Sequence, residues 1–236
     1  MPDTRNRLGR HRSMRGFTLI EMMVTVAIIL TVAAMVGFGF GRAKPRMRLN
    51  GSAAEFQSLV LSARQNALAT GRTTVVMVFP TFQIVNNTGV GRAVIYQDDP
   101  GTFFSAAGAL NFASFSAATP QGGENLLAVM DVSPTIAIGP SDGRSDTTMP
   151  QPFNRVFIDK ACTFCAGDRG AIAFNVQGAA SFYSANGAPL TVDGGSVSFY
   201  TPSEKNPGAD NAANATDIRT VAVVAATGAI RVLKKP

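Results

Sequence analysis

The 236-residue chain is predicted to fold as α+β: a long N-terminal helix, apolar in its first half and amphipathic in its second, packed on an antiparallel β-sheet domain. Three observations lead there. Residues 22–41 are twenty uncharged residues in succession. After Pro45 the apolar positions Leu49, Ala53, Phe56, Val60, Ala63 and Ala67 recur at alternating spacings of four and three, which is one face of a helix. Beyond Gly71 the chain reads as short apolar strands separated by turn residues, and such strands supply the sheet that the helix face needs as cover.

The first element is a basic leader, residues 1–16, in which Arg5, Arg7, Arg10, Arg12 and Arg15 against Asp3 give a charge of +4. The apolar run follows. At 1.5 Å rise per residue its twenty uncharged positions reach about 30 Å, the thickness of a bilayer core. The preceding arginines place the leader in the cytoplasm and the rest of the chain outside. Arg42, Lys44, Arg46 and Arg48 add +4 just past the run and oppose that orientation, but a long downstream domain is translocated largely regardless of charge. One acid, Glu21, interrupts the otherwise uncharged stretch 16–41. A carboxylate in a membrane-length helix is disfavoured, by roughly 2.5–3.5 kcal/mol at the helix centre, so it calls for a partner. An ordinary secretory signal explains neither Glu21 nor a run longer than the 7–15 residues typical of its apolar region. A plain anchor explains the length but not the acid.

Gly37, Gly39 and Gly41 weaken the helix where the run ends, and Pro45 is a site for a bend. Gly71 is a natural stop for the amphipathic half. Strands are expected at 73–79, 93–97, 126–130, 135–138, 153–159, 171–175, 195–201, 220–225 and 229–233. The last two join around Gly228 as a terminal hairpin. Stretches 101–123 and 202–217, rich in Gly, Ala, Ser and Asn, read as long loops. The organisation is thus leader (1–16), helix (17–71) with its transmembrane half at 17–41, and external β-rich domain (72–236).

From Leu49 onward the net charge is −1, so the high pI of 9.8 belongs to the membrane flanks. That argues against a general nucleic-acid binder, which carries a basic patch in its folded domain. The only histidine, His11, lies in the leader. A chain cut after Gly16 therefore has none, which removes Ser-His-Asp and Cys-His catalysis and the commonest metal ligand. No catalytic residue, cofactor or metal site is expected. Asp142, Asp146, Asp168 and Asp193 sit in polar loops without the dense acidic spacing of a calcium loop, and read as solvated turn residues.

The run Gly16-Phe17-Thr18-Leu19-Ile20-Glu21 resembles the class III signal of type IV pilins and type II secretion pseudopilins. The resemblance implies cleavage by prepilin peptidase between Gly16 and Phe17, and N-methylation of Phe17. It also implies a role for Glu21 in assembly, pairing with the free N-terminal amine of a neighbouring subunit. Phe38 stands where many members have a proline, and the flanking glycines are placed to loosen the helix instead. Three further features resemble the GspH/FimT-type minor pseudopilins: Ala63-Arg64 with Ala67 before Gly71 and Val75-Val76-Met77-Val78; Ala171-Ile172-Ala173-Phe174 before Gly178; and Gly228-Ala229-Ile230-Arg231-Val232.

What the resemblance implies is a non-enzymatic minor pilin or pseudopilin of a type II secretion pseudopilus or a type IV pilus. Its partners would be other pilins through the N-terminal helix, prepilin peptidase, the inner-membrane assembly platform and the membrane itself. Its place would be the bacterial inner membrane, single-pass, with the C-terminal domain in the periplasm or on the cell exterior. A rival is a FimT-like DNA receptor using Arg231, Lys234 and Lys235, although this tail departs from the Gly-Arg-x-Arg pattern of that role and a basic surface edge is the favoured reading. Cys162 and Cys165 have the spacing of a zinc half-site, but nothing completes four ligands. The following 166–170 reads as turn rather than helix, so outside the cytoplasm a local disulfide is expected.

Overall fold

The computed structural model describes residues 17–84, 89–98, 103–105, 108–112, 115, 126–138, 162–201 and 218–234; of 36–43 it describes the backbone alone. The chain divides into two compact units, residues 1–43 and 44–236.

One helix, α1 (Leu19–Thr70), runs without interruption through Pro45. Its C-terminal half behaves as the four-and-three spacing requires: Leu49, Ala53, Phe56, Val60, Ala63 and Ala67 are all fully buried. Gly71 ends it in the left-handed region, φ 65°, with its N–H donating to the Ala67 carbonyl at 3.1 Å. Asn66 fastens this end to the sheet, donating to Thr74 Oγ1 at 3.1 Å and Gln97 Oε1 at 2.8 Å.

Among the described residues ten strands follow: β1 (Thr74–Gln83), β2 (Val90–Gln97), β3 (Leu126–Asp131), β4 (Ala137–Ile138), β5 (Gly170–Phe174), β6 (Ala180–Tyr183), β7 (Pro189–Leu190), β8 (Gly194–Tyr200), β9 (Ile218–Val224) and β10 (Ile230–Lys234). They form one sheet in the order β10-β9-β8-β4-β2-β1-β5-β6-β7, with β3 also on β2. Pairing is antiparallel except for one parallel step, Val90 opposite Ala137. The sheet curls so that its arms approach: the Ala180 N–H at the start of β6 donates to the Ala225 carbonyl just past β9, at 2.8 Å.

The helix covers one face of the sheet, where Val76, Val78, Ile95, Ile172, Phe174, Phe182, Phe199, Val221 and Val223 pack with the buried face of α1. The opposite face carries a second core. Val75, Met77, Val94, Tyr96, Ala171, Ala173 and Tyr183 alternate with the first set and lie beneath Phe103, Leu110, Phe112 and Phe115. The expected loop 101–123 has no described strand beyond the Phe104–Leu110 bridge, yet its aromatic residues form the lid of that core. With both faces covered, β1 is buried at every position from Thr74 to Pro80, as a strand without polar alternation must be.

Eight of the nine expected strands correspond to observed ones; the ninth, 153–159, lies outside the described residues, as does the expected loop 202–217. β6 and β7 were not expected. They are four and two residues long, too short to carry a periodicity, and pairing specifies them: β6 against β5, β7 against β6.

The expected transmembrane half, 17–41, is described only in part. Among the described residues no helix is long and apolar enough to cross a membrane. The uncharged run with described side chains, 22–35, is fourteen residues, against about 20 for a span. The remainder, 36–41, lies where only the backbone is described.

Candidate functional site

The start of α1 is built by a cap. Thr18, just outside the helix, accepts a hydrogen bond through Oγ1 from the Glu21 N–H at 3.3 Å, and its carbonyl accepts from the Met22 N–H at 3.2 Å. Thr-Leu-Ile-Glu is thus the sequence of a capping box, with the threonine at the N-cap and the glutamate three residues on. The spacing that makes Thr18 a cap is local and readable in the sequence alone. Glu21 lies in the first helical turn, where the positive end of the helix dipole favours an anion.

Downstream of the cap the helix is apolar on every side. Ile20, Ile29 and Met35 are 68%, 65% and 76% exposed. Successive helical residues are rotated by about 100°, so the large exposed side chains between Leu19 and Met35 encircle the axis instead of forming a stripe. A helix of this kind belongs in an apolar surrounding, a bilayer or a bundle of helices.

Residues 11–37 match the family model described as the prokaryotic N-terminal methylation motif. This is the signature of type IV pilins and pseudopilins. The matched segment contains the expected cleavage position, Gly16 and Phe17, the cap Thr18 and the acid Glu21. No curated protein and no solved structure matches the chain.

The structure places the other sequence-predicted residues separately. Cys162 and Cys165 form a disulfide, with Cα atoms 5.2 Å apart. It secures a strap: Cys162 bridges Val197 on β8, Thr163 and Ser196 exchange hydrogen bonds at 2.9 and 3.0 Å, and Phe164 packs on Phe182 at 5.3 Å between centroids. Past Cys165 the chain makes the expected turn, Ala166 pairing with Arg169. There Asp168 accepts two hydrogen bonds from Arg169, at 3.0 and 2.8 Å, which hold its carboxyl below the ordinary aspartate value.

Arg231 and Lys234 both lie on β10, but three residues apart on a strand they project to opposite faces of the sheet. Arg231 stands opposite Ala222, and Lys234 opposite Arg219. Lys235 lies outside the described residues. Arg219 was missed by sequence reasoning, and its Nε donates to Asn50 Oδ1 on α1 at 2.7 Å. No local signal pointed to that contact, because 169 residues separate the partners.

Among the described residues no three His, Cys, Asp or Glu side chains converge as a metal site. Asp142 and Asp146 are not among those residues. A shallow depression lined by Ala179, Ala180, Val192, Asp193, Val224, Ala225 and Ala226 presents one charged side chain and no nucleophile with an adjacent base.

Proposed function

We propose that the chain is a minor pilin or pseudopilin that works by being polymerised. In this reading the leader is cut between Gly16 and Phe17 by prepilin peptidase, Phe17 is methylated, and the apolar helix carries the chain in the bacterial inner membrane until it joins a filament. The β-domain then faces neighbouring subunits in the periplasm or outside the cell. The single observation that carries this is the methylation motif at residues 11–37, with Glu21 set in the first turn of a threonine-capped helix. The twenty uncharged residues of 22–41 support membrane insertion. The all-round exposure of the apolar side chains supports burial of the helix against lipid and then against other helices. The motif is that of a structural subunit rather than an enzyme.

Cutting at Gly16 leaves an ammonium group on Phe17, one residue before the helix cap. A cation there faces the positive end of the helix dipole and is disfavoured by several tenths of a kcal/mol or more. A carboxylate offsets both charges. Glu21 of a docking subunit supplies it, so the pair sets the register of assembly. Glu21→Ala is expected to insert and to be cleaved normally, while incorporation into filaments falls at least tenfold. Sheared filaments quantified by immunoblot test this, and wild-type incorporation of the variant would sink the pairing.

A further inference from the structure

The basic residues 42–48 remain unexplained by assembly, and they stand on the side of the apolar run where the positive-inside rule disfavours them. The fold brings two distant cations to the same place. The β9–β10 hairpin is oriented against α1 by contacts at both its ends. At its open end Arg219 Nε donates to Asn50 Oδ1. At its closed end the turn residue Gly228 lies against Arg64, whose Nε also donates to the Gly178 carbonyl at 3.2 Å. Asn50 and Arg64 are fourteen residues apart on the helix, about 21 Å, so the open end of the hairpin sits where the chain enters the 44–236 unit.

Lys234 is the register partner of Arg219 and shares its face of the sheet, with Cβ atoms about 5 Å apart. Arg46 shares a helix face with Asn50, four residues on. On another side of the helix Arg48 donates to the Pro134 carbonyl and to Thr135 Oγ1, both at 3.4 Å, tying down a turn in which Thr135 has φ 68°. Lys44 lies one turn before Arg48. Lys44, Arg46, Arg48, Arg219 and Lys234 thereby ring one end of the unit.

We propose that these five cations form a collar that binds the phosphates of anionic phospholipid head groups. The collar would seat the external domain on the membrane before the subunit joins a filament. This rests on the membrane insertion proposed above. Lipid is favoured over nucleic acid by position in the chain: Lys44 stands three residues past the end of the apolar run at Gly41, and the other four cations lie at the same end of the 44–236 unit.

The test uses the full chain in nanodiscs of neutral phosphatidylcholine, with or without 30% phosphatidylglycerol. Lysine acetylation by uncharged N-hydroxysuccinimide acetate is followed by mass spectrometry, with Lys205 as internal reference. Phosphatidylglycerol should slow acetylation of Lys44 and Lys234 at least five-fold relative to Lys205, an effect abolished by 0.5 M NaCl. Arg219→Gln should remove most of the protection of Lys234, whereas Arg219→Lys, which keeps the charge, should retain it. Acetylation of Lys234 at equal rates in both discs overturns the collar alone. Protection of Lys234 by added duplex DNA but not by phosphatidylglycerol overturns it in favour of nucleic acid. A chain that enters neither disc overturns the membrane reading, and the collar with it.

Discussion

Replacing Phe56 by alanine tests the packing that joins helix to sheet. Its ring is fully buried and lies 5.5 Å from that of Phe199, tilted by 57°, in the cluster that also holds Val76, Ile95 and Val221. Removing a buried phenylalanine costs about 3–5 kcal/mol, because transfer free energy and a residual cavity add. Alanine's better helix propensity returns roughly 0.5 kcal/mol of that. For a domain of this size each kcal/mol moves the melting temperature by about 2–4 °C, so a fall of roughly 5–18 °C is expected. The control is Leu61→Ala on the same helix, where the side chain is 40% exposed. That change should stay within about 0.5 kcal/mol, under roughly 2 °C. Both variants, as full chains in detergent micelles, are melted while far-UV circular dichroism is followed. A shift for Phe56→Ala no larger than that for Leu61→Ala would refute the claim that this face of α1 organises the domain.

Gly228→Ala should destabilise the same domain by about 1–2 kcal/mol through its left-handed backbone, φ 61°. A further 1–3 kcal/mol or so should follow because the new Cβ is driven onto the Gly178 carbonyl oxygen; a melting temperature equal to wild type contradicts this. Phe115→Ala should lower stability by about 3–5 kcal/mol if the segment over the second sheet face is a true core, since the ring is buried against Tyr96 and Phe103 at 4.8 and 4.9 Å. Urea unfolding checks it, and a loss below 1 kcal/mol would show the lid to be peripheral. The Asp168 carboxyl, measured by NMR titration, should titrate below an ordinary aspartate and move upward in Arg169→Gln. A depressed folded pKa contributes stability that is present above the unfolded pKa and lost as pH falls through the folded one, and at so exposed a site the effect on stability should be small.

The sequence made the helix legible because one face of it is paid out in six apolar residues at strict helical spacing, all of which are fully buried. Long strands such as β1 and β8 were legible for a similar reason, as dense apolar runs bounded by turn residues. β6 and β7 were not, since two to four residues hold no period and only their neighbours specify them. The second core was hidden in a stretch whose Gly, Ala and Ser content reads as loop; its scattered phenylalanines become informative only once the far face of β1 and β5 is seen to need cover. At the site, the motif around Glu21 was readable at once and Thr18 should have been, because a cap is a local device. The contact between Arg219 and Asn50 was beyond any local reading, being made by the path of the hairpin along the helix.

The central claim is that the chain is processed within its methylation motif and then assembled through Glu21. The N-terminal residue of the mature protein, purified from membranes and read by tandem mass spectrometry, tests its first step most directly. N-methylated phenylalanine at Phe17 is the predicted result; an intact leader, or a start near Phe40, would contradict it.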